Sequence, residues 1–149
     1  MRVVLVEPEI PQNTGSVARL CAATATPLHL VGTLGFSLED RYLRRAGLDY
    51  WPRVDLHVHD GWPAFEASSP DGRRLGFSSH GTSSYTRVGF RPEDVLVFGG
   101  ESRGLPEDLR RALAPLYRIP MPGEGVRSLN LANSVSIVLY EGLRQLGRV

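Results

Sequence analysis

The chain has 149 residues, of which 42% are hydrophobic and 22% are charged, and its formal net charge is +1. This length and balance fit one globular domain spanning residues 1–149, with enough apolar residues for its own core. All 17 basic residues are arginines, which excludes a Schiff-base lysine enzyme and a phosphate-binding loop of the Gly-Lys type. The single cysteine, Cys21, excludes an internal disulfide and a cysteine-rich zinc site.

The apolar run nearest the start of the chain covers only residues 3–6. It is too short for a signal peptide or a membrane span, which need about 7–15 and about 20 apolar residues. We therefore expect a cytoplasmic protein without a membrane segment.

The predicted elements begin with a buried strand at residues 2–7. Pro8, Pro11 and Gly15 predict a loop, followed by a helix over residues 17–25 that is capped near Asn13 or Thr14. The later patterns predict strands at 28–32, 54–59, 74–79, 94–98 and 117–119, and helices at 38–46, 62–67, 106–114 and 130–146. Because strands and helices alternate, the predicted fold is α/β with a mainly parallel sheet flanked by helices.

Three loops of unusual composition follow predicted strands that end near Glu7, Phe98 and Ile119. In an open α/β sheet, ligands bind beyond the carboxyl ends of the strands. We therefore expect the three loops to converge on one site.

The first loop leads into residues 13–19, NTGSVAR. Exposed backbone at the start of a helix can bind an anion, and Arg19 lies about one helical turn after Gly15. The alternative is a simple helix cap followed by a surface arginine.

The second loop, FGGESRGLP at residues 98–106, has three glycines that allow backbone to approach a ligand closely. Glu101 and Arg103 favour a functional interpretation of this loop.

The third loop covers residues 119–130, IPMPGEGVRSLN, and offers the Ser128 and Asn130 side chains for hydrogen bonds. The helix after it carries apolar residues on more than one face, which predicts burial on more than one side. It is either a core helix or, as we favour, a core helix that also forms a dimer interface.

Two other constellations are weaker. His57 and His59 share one strand face, but no third ligand is apparent, so no metal site is expected. His80 and a nearby serine lack the nucleophile elbow that a Ser-His-Asp hydrolase would need.

Taken in order, the three segments resemble the characteristic motifs of the knotted SPOUT-class RNA methyltransferases. The matching stretches are residues 13–19, 98–105 and 119–141. Residues 43–51, LRRAGLDYW, together with EPEIP at residues 7–11, are similar to the small bacterial enzymes that methylate the ribose 2′-oxygen of a wobble cytidine or uridine in tRNA. The resemblance covers nearly the whole chain.

The resemblance implies a Rossmann-like SPOUT fold whose C-terminal part forms a deep trefoil knot, one of the few exceptions to the rule against threaded chains. It implies the cofactor S-adenosyl-L-methionine, bent within the knot, a tRNA substrate bound near its anticodon, and a homodimer. The cofactor-binding residues that the resemblance implies are Phe77, Gly99, Ile119 and Ser128.

The resemblance also implies catalytic roles. In this class an arginine matching Arg19 is often assigned as the base, but a guanidinium is effectively always protonated. We therefore expect Arg19 to stabilise the developing alkoxide and to position the adjacent phosphate. Asn13, Glu101 and Asn130 are expected to hold the loops and Arg19 in place.

A cluster at helical spacing, Arg41, Arg44 and Arg45, is expected to contact tRNA phosphates, with a solvated helix face as the alternative. The chain has Gly100 where relatives often have proline, and His80 where relatives can have lysine.

Methylation of another tRNA or ribosomal RNA position remains an alternative function. An RNA-binding protein that has lost catalysis is a second alternative, against which the intact loops argue.

Overall fold

The computed structural model describes residues 1–39, 43, 50–68 and 71–149. Seven strands and four α-helices have defined bounds in these ranges. The strands are β1 (Arg2–Val6), β2 (Leu28–Val31), β3 (Leu56–His59), β4 (Arg74–Phe77), β5 (Ser83–Ser84), β6 (Val95–Gly99) and β7 (Tyr117–Arg118). The α-helices are α1 (Pro11–Ala23), α2 (Trp62–Ser68), α3 (Glu107–Ala112) and α4 (Leu131–Gln145), and short 3-10 helices cover Trp51–Arg53 and Tyr85–Arg87.

The described strands form one parallel sheet in the order β3-β2-β1-β6-β4-β7-β5. The predicted α/β fold with a parallel sheet is thus confirmed. The central pair β1 and β6 runs in register from Arg2 opposite Val95 to Val6 opposite Gly99. Both strands consist almost wholly of apolar residues because each is covered on both faces, as is usual for parallel strands.

Two apolar clusters, one on each face of the sheet, make up the core. Val3 and Leu5 of β1 pack with residues of α1 and α4, while Val4 and Val6 pack with residues of α2 and α3. This alternation follows from the two-residue repeat of a strand. Helices α1 and α4 therefore cover one face, and α2 and α3 cover the other.

Helix α1 begins at Pro11, six residues before the predicted start, so the predicted cap at Asn13 or Thr14 is wrong. Proline suits the first helical position because its fixed φ is already helical and its missing N–H would have no partner there. The capping residue, Ile10, makes no side-chain cap bond. As a result, Asn13 lies inside the first turn and its amide is free to bond elsewhere.

Helix α4 begins right after Asn130, whose side chain accepts hydrogen bonds from the backbone of Ala132 and Asn133. One side of the helix, including Val135, Val138 and Leu139, is fully buried. The predicted core helix is confirmed, and burial of a second side in a dimer interface stays a prediction. No helix among the described residues has the length and apolarity needed to cross a membrane.

The other predicted elements agree with the structure to within a few residues, apart from two differences. Val58 on the edge strand β3 is 49% exposed, whereas the alternation of Val54, Leu56 and Val58 with polar residues predicts that it faces the core. The two-residue strand β5 had no sequence signal. The predicted helix at 38–46 lies mostly outside the described residues, and Arg41, Arg44 and Arg45 lie there too.

Candidate functional site

The site lies where the neighbouring central strands β1 and β6 end. After β1 the chain enters α1 and returns to β2 on one side, whereas after β6 it enters α3 and returns to β7 on the other side, across the opposite face. Adjacent strands whose connections diverge leave a crevice at their carboxyl ends, where ligands bind in open α/β sheets. The loops after these two strands are the first two loops singled out in the sequence.

The glycines of the second loop serve chain packing. A Cβ added to Gly99 would lie 2.0 Å from the carbonyl carbon of Gly104, and one added to Gly100 would lie 2.4 Å from the carbonyl oxygen of Glu7. Gly104, at φ +66°, adopts a conformation that side chains disfavour and closes the turn through a bridge to Gly100. At Gly99 and Gly100 the missing side chain thus allows a close approach to neighbouring backbone, and the predicted approach to a ligand stays a prediction.

Glu101 of this loop lies at the start of α1, where no side chain caps the helix. Its carboxylate accepts hydrogen bonds from the backbone N–H groups of Glu9 at 2.8 Å and Ile10 at 3.2 Å, and from Asn13 Nδ2 at 2.9 Å. A negative charge at a helix N-terminus is favourable because the unpaired N–H groups there carry partial positive charge. Glu101 thus fixes the second loop to the first.

Asn13 continues this connection to the third loop. Its Oδ1 accepts a hydrogen bond of 2.9 Å from Asn130 Nδ2, while Asn130 Oδ1 caps α4. We call these linked side chains the Glu101–Asn13–Asn130 chain. It joins all three loops, and its bonds are those that the predicted loop-holding role requires.

A second connection between the first two loops, the Glu9–Ser102 pair, had no sequence signal. Ser102 Oγ lies 2.7 Å from each carboxylate oxygen of Glu9, and the Ser102 backbone N–H donates to Glu9 Oε1 at 3.1 Å. Hydrogen bonding from Ser102 holds the pKa of Glu9 below its usual range. The backbone N–H of Glu9 meanwhile donates to Glu101, so the two loops hold each other reciprocally.

A cavity of about 1010 Å³ opens between the three loops. Its wall includes the stacked rings of Phe77 and Phe98, whose centroids are 5.1 Å apart, and its polar lining includes Ser128. All four predicted cofactor residues line it, as do all three members of the Glu101–Asn13–Asn130 chain: Phe77, Gly99, Ile119, Ser128, Asn13, Glu101 and Asn130. The structure thus brings seven of the eight predicted cofactor-binding and catalytic residues together.

Arg19 is the eighth of these residues, and it does not line the cavity. It lies on the exposed side of α1, where its guanidinium carbon is 5.3 Å from the centre of the Tyr50 ring. The Tyr50 hydroxyl donates to the carbonyl of Gly15 at 3.3 Å, which keeps the ring beside the helix. Arg19 is therefore held in place by Tyr50.

The weaker candidates have structural explanations. His29 of β2 stacks between His57 and His59, and His29 Nδ1 shares a hydrogen bond of 2.9 Å with His59 Nε2. No group of potential ligands suited to a metal ion occurs within the described part of the chain. Cys21 is buried, and burial raises the pKa of its thiol to about 12, so it is not poised as a nucleophile.

Comparison with known proteins agrees with the motifs. A tRNA (cytidine(34)-2′-O)-methyltransferase from Acidovorax sp. (strain JS42) is 50% identical over 146 residues, covering 96% of this chain and 90% of that protein. A solved structure described as "Structural insights into the 2-OH methylation of C/U34 on tRNA" is 52% identical, with a TM-score of 0.93, and the match covers 98% of this chain and 95% of that one.

A more distant structure carries a cofactor. An rRNA methyltransferase from Sinorhizobium meliloti with bound AdoMet is 26% identical, has a TM-score of 0.86, and matches 97% of this chain and 56% of its own. The model of the SpoU rRNA methylase family matches residues 1–140. With its α/β fold and its three loops joined around one cavity, the chain belongs to the SpoU rRNA methylase family.

Proposed function

We propose that the protein transfers a methyl group from S-adenosyl-L-methionine to the ribose 2′-oxygen of nucleotide 34, the wobble nucleotide of tRNA. The observation that carries the proposal is the convergence of three loops with the motifs of this class on one cavity at the carboxyl ends of β1 and β6. Proteins that share about half of their residues with this chain have names that place the methylated 2′-oxygen at nucleotide 34, which supports that position.

The cavity suits this cofactor in size and chemistry. A volume of about 1010 Å³ is at the upper end for a small-molecule site. Phe77 and Ile119 offer apolar surface for a purine and a thioether, and Ser128 offers a hydroxyl. The cofactor, when bound, supplies the methyl group on a sulfonium, a leaving group that needs no general acid. Phe77, Gly99, Ile119 and Ser128 hold it in this proposal, within the proposed trefoil knot.

The Glu101–Asn13–Asn130 chain serves as a positioning device. Glu101 already accepts three N–H donors, which suits it to hold loops rather than to take a proton from the substrate. The Glu101–Asn13–Asn130 chain fixes the starts of α1 and α4 relative to each other. It thereby also fixes the walls of the cavity. Fixed walls align the reacting atoms, and alignment provides much of the rate enhancement of a displacement reaction.

Arg19 is proposed to stabilise the developing alkoxide and to hold the adjacent phosphate. Because a guanidinium stays protonated, Arg19 acts as a fixed cation with several directed donors. Because Arg19 lies on the exposed side of α1 and not in the cavity, the proposed phosphate contact has the RNA extend from the cavity across that helix. Arg41, Arg44 and Arg45 remain proposed phosphate contacts, and a homodimer remains the proposed assembly.

The role of Arg19 has a direct test. Arg19→Lys keeps the charge but loses the planar fork of donors, so kcat should fall by about tenfold or more while the cofactor Kd stays unchanged. Single-turnover methylation and calorimetry with S-adenosylhomocysteine measure the two quantities. Full activity of Arg19→Lys at neutral pH would contradict the proposed directed contact.

The function itself is tested by incubating the purified protein with labelled S-adenosyl-L-methionine and total tRNA, then mapping the methylated nucleotide by mass spectrometry. We expect label on the ribose at position 34. Label at another position, or in ribosomal RNA offered in parallel, would identify the alternative enzyme. RNA binding without any methyl transfer would identify a protein that has lost catalysis.

A further inference from the structure

The cavity has an excess of positive charge. Its lining includes the cationic side chains Arg103, Arg110 and Arg127, and the imidazole of His80. Glu101 is the one acidic residue in that lining, and its carboxylate is engaged by three N–H donors. The cavity is therefore suited to a ligand with several negative charges.

The three guanidinium groups in the cavity lining differ in whether a nearby carboxylate balances their charge. Arg103 lies near enough to Glu9 to help lower the pKa of that carboxyl group. Arg110 and Arg127 make no ion pair with any residue that the structure describes. The neighbour of Arg110 on α3, Arg111, pairs instead with Glu107 and does not line the cavity. Arg110 and Arg127 are thus the two cations available to an anionic ligand.

The proposed cofactor cannot account for both cations. S-adenosyl-L-methionine has one carboxylate, together with an ammonium group and a sulfonium, so its net charge is positive. Its carboxylate can pair with one guanidinium. The second guanidinium is then available to another anion, and RNA carries a phosphate on every nucleotide.

Arg110 is distinguished from Arg127 by a second cavity. This cavity, of about 570 Å³, is lined by Thr82, Ala114, Pro115 and Leu116, and it shares His80 and Arg110 with the first. The two side chains therefore stand at the border between the first cavity and the second. An RNA strand with its target ribose in the first cavity has room to continue along this border.

We propose that Arg110 and His80 form a binding site for a backbone phosphate of the RNA, one that flanks the methylated nucleotide. The site rests on the proposed function, since it takes the phosphate of that substrate. Arg110 supplies the charge and a bidentate donor, and His80 supplies one ring N–H. Contacts of this kind position RNA without reading its sequence.

The test compares Arg110→Gln with the control Arg111→Gln, which removes another exposed charge one residue away. Affinity for purified tRNA is measured over a range of salt concentrations, and affinity for S-adenosylhomocysteine by calorimetry. Loss of one phosphate contact should weaken tRNA binding by about tenfold near 50 mM salt and about 2.5-fold near 200 mM, and reduce the slope of log K against log salt by about one. The cofactor affinity should stay unchanged, and His80→Gln should weaken tRNA binding to a smaller degree.

Three outcomes would overturn the site. Equal salt slopes for Arg110→Gln, Arg111→Gln and wild type would show that no phosphate is bound there. A weakened S-adenosylhomocysteine affinity with unchanged tRNA binding would assign Arg110 to the cofactor carboxylate. Unchanged tRNA binding by His80→Gln would remove the imidazole from the site. If the wild type neither binds nor methylates tRNA, the proposed function fails as well, which separates the two failures.

Discussion

Asn130 performs two tasks with different atoms of one amide. Oδ1 caps α4 by accepting from the backbone of Ala132 and Asn133, and Nδ2 donates to Asn13. A substitution that keeps an acceptor but lacks the amide N–H separates the tasks. Serine is such a residue, because its hydroxyl caps helices about as well as asparagine does.

We therefore expect Asn130→Ala to lower the free energy of unfolding by about 1 kcal/mol, and Asn130→Ser to stay within about 0.5 kcal/mol of wild type. Both variants should methylate more slowly, because both lose the bond to Asn13. Denaturant unfolding and single-turnover assays measure the two effects. If Asn130→Ser methylates at the wild-type rate, the hydrogen bond between Asn130 and Asn13 has no role in the reaction.

His29 makes the stability depend on pH. It is 6% exposed, and burial, aided by the neighbouring His57 and His59, lowers its pKa to about 4. An unfolded chain takes up the proton near pH 6.5, whereas the folded protein resists it. This contribution is complete above about pH 6.5 and is progressively lost as the pH falls towards 4.

Replacing His29 with leucine should therefore reduce the fall of Tm between about pH 6.5 and 4. The reduction is at most the effect of one proton taken up on unfolding. The comparison with wild type is needed because carboxylates also titrate in the lower part of this range. Val58→Leu, on the neighbouring strand β3, removes no titratable group and is the control, which should keep the wild-type slope. The same pH slope in wild type and His29→Leu would mean that His29 is not held neutral by the fold.

The sequence indicated Asn13, Glu101 and Asn130 as site residues through the three unusual segments that carry them and through the resemblance to SPOUT-class enzymes. The same reasoning could not find Glu9 and Ser102, which are partners 93 positions apart. It placed Arg19 with the site because of a motif, whereas the helical repeat turns Arg19 away from Asn13. Spacing along the chain carries no information about such distant partners.

At the scale of elements, the Glu9–Ser102 pair connects the loop before α1 to the loop after β6. Because Ser102 lowers the pKa of Glu9, the pair stabilises the fold when Glu9 is ionised, above the ordinary carboxyl range. Its contribution is lost as the pH falls through the lowered pKa. The connection between the two loops should therefore weaken in acid.

Ser102→Ala should lower Tm at pH 7, and the difference from wild type should shrink towards zero in acid below the pKa of Glu9. Thermal unfolding across this range measures it. Ser16→Ala is a suitable control because Ser16 donates to a backbone carbonyl, so its effect should not vary with pH. A Ser102→Ala deficit that is the same at every pH would mean that the carboxylate charge is not involved.

Elements were predictable where local pattern decides them. The apolar runs of β1 and β6 indicate strands buried on both faces, and the apolar residues of α4 indicate a core helix. The start of α1 was predicted wrongly because the group that binds the backbone just before it, Glu101, comes from a loop about 90 residues away. Strand β5 has two residues and pairs only with β7, so no local pattern marks it.

At the scale of the whole molecule, the cavity unites loops from distant parts of the chain, so ligand binding should stabilise the entire fold. S-adenosylhomocysteine at 100 times its Kd adds about 2.7 kcal/mol of stability, which corresponds to a rise in Tm of about 5–10 °C. Differential scanning calorimetry measures the rise, with adenosine at the same concentration as a control. An unchanged Tm would contradict the proposed cofactor site.

The sequence predicted the fold class but not the order of the strands. Alternating strands and helices imply a parallel sheet, and parallel strands allow many orders. The observed order depends on pairing between β1 and β6, whose residues lie about 90 positions apart. The position of the site followed because the carboxyl ends of parallel strands share one edge, whatever their order.

The place of β6 between β1 and β4 has a consequence for folding. Both neighbours are synthesised earlier, yet they never pair with each other, because β6 occupies the position between them. A ribosome must release residues 95–99 before the centre of the sheet can form, and an early β1–β4 pairing would have to break again. Folding dominated by such distant contacts is slow. The nascent chain must therefore keep β1 and β4 unpaired until β6 has been synthesised.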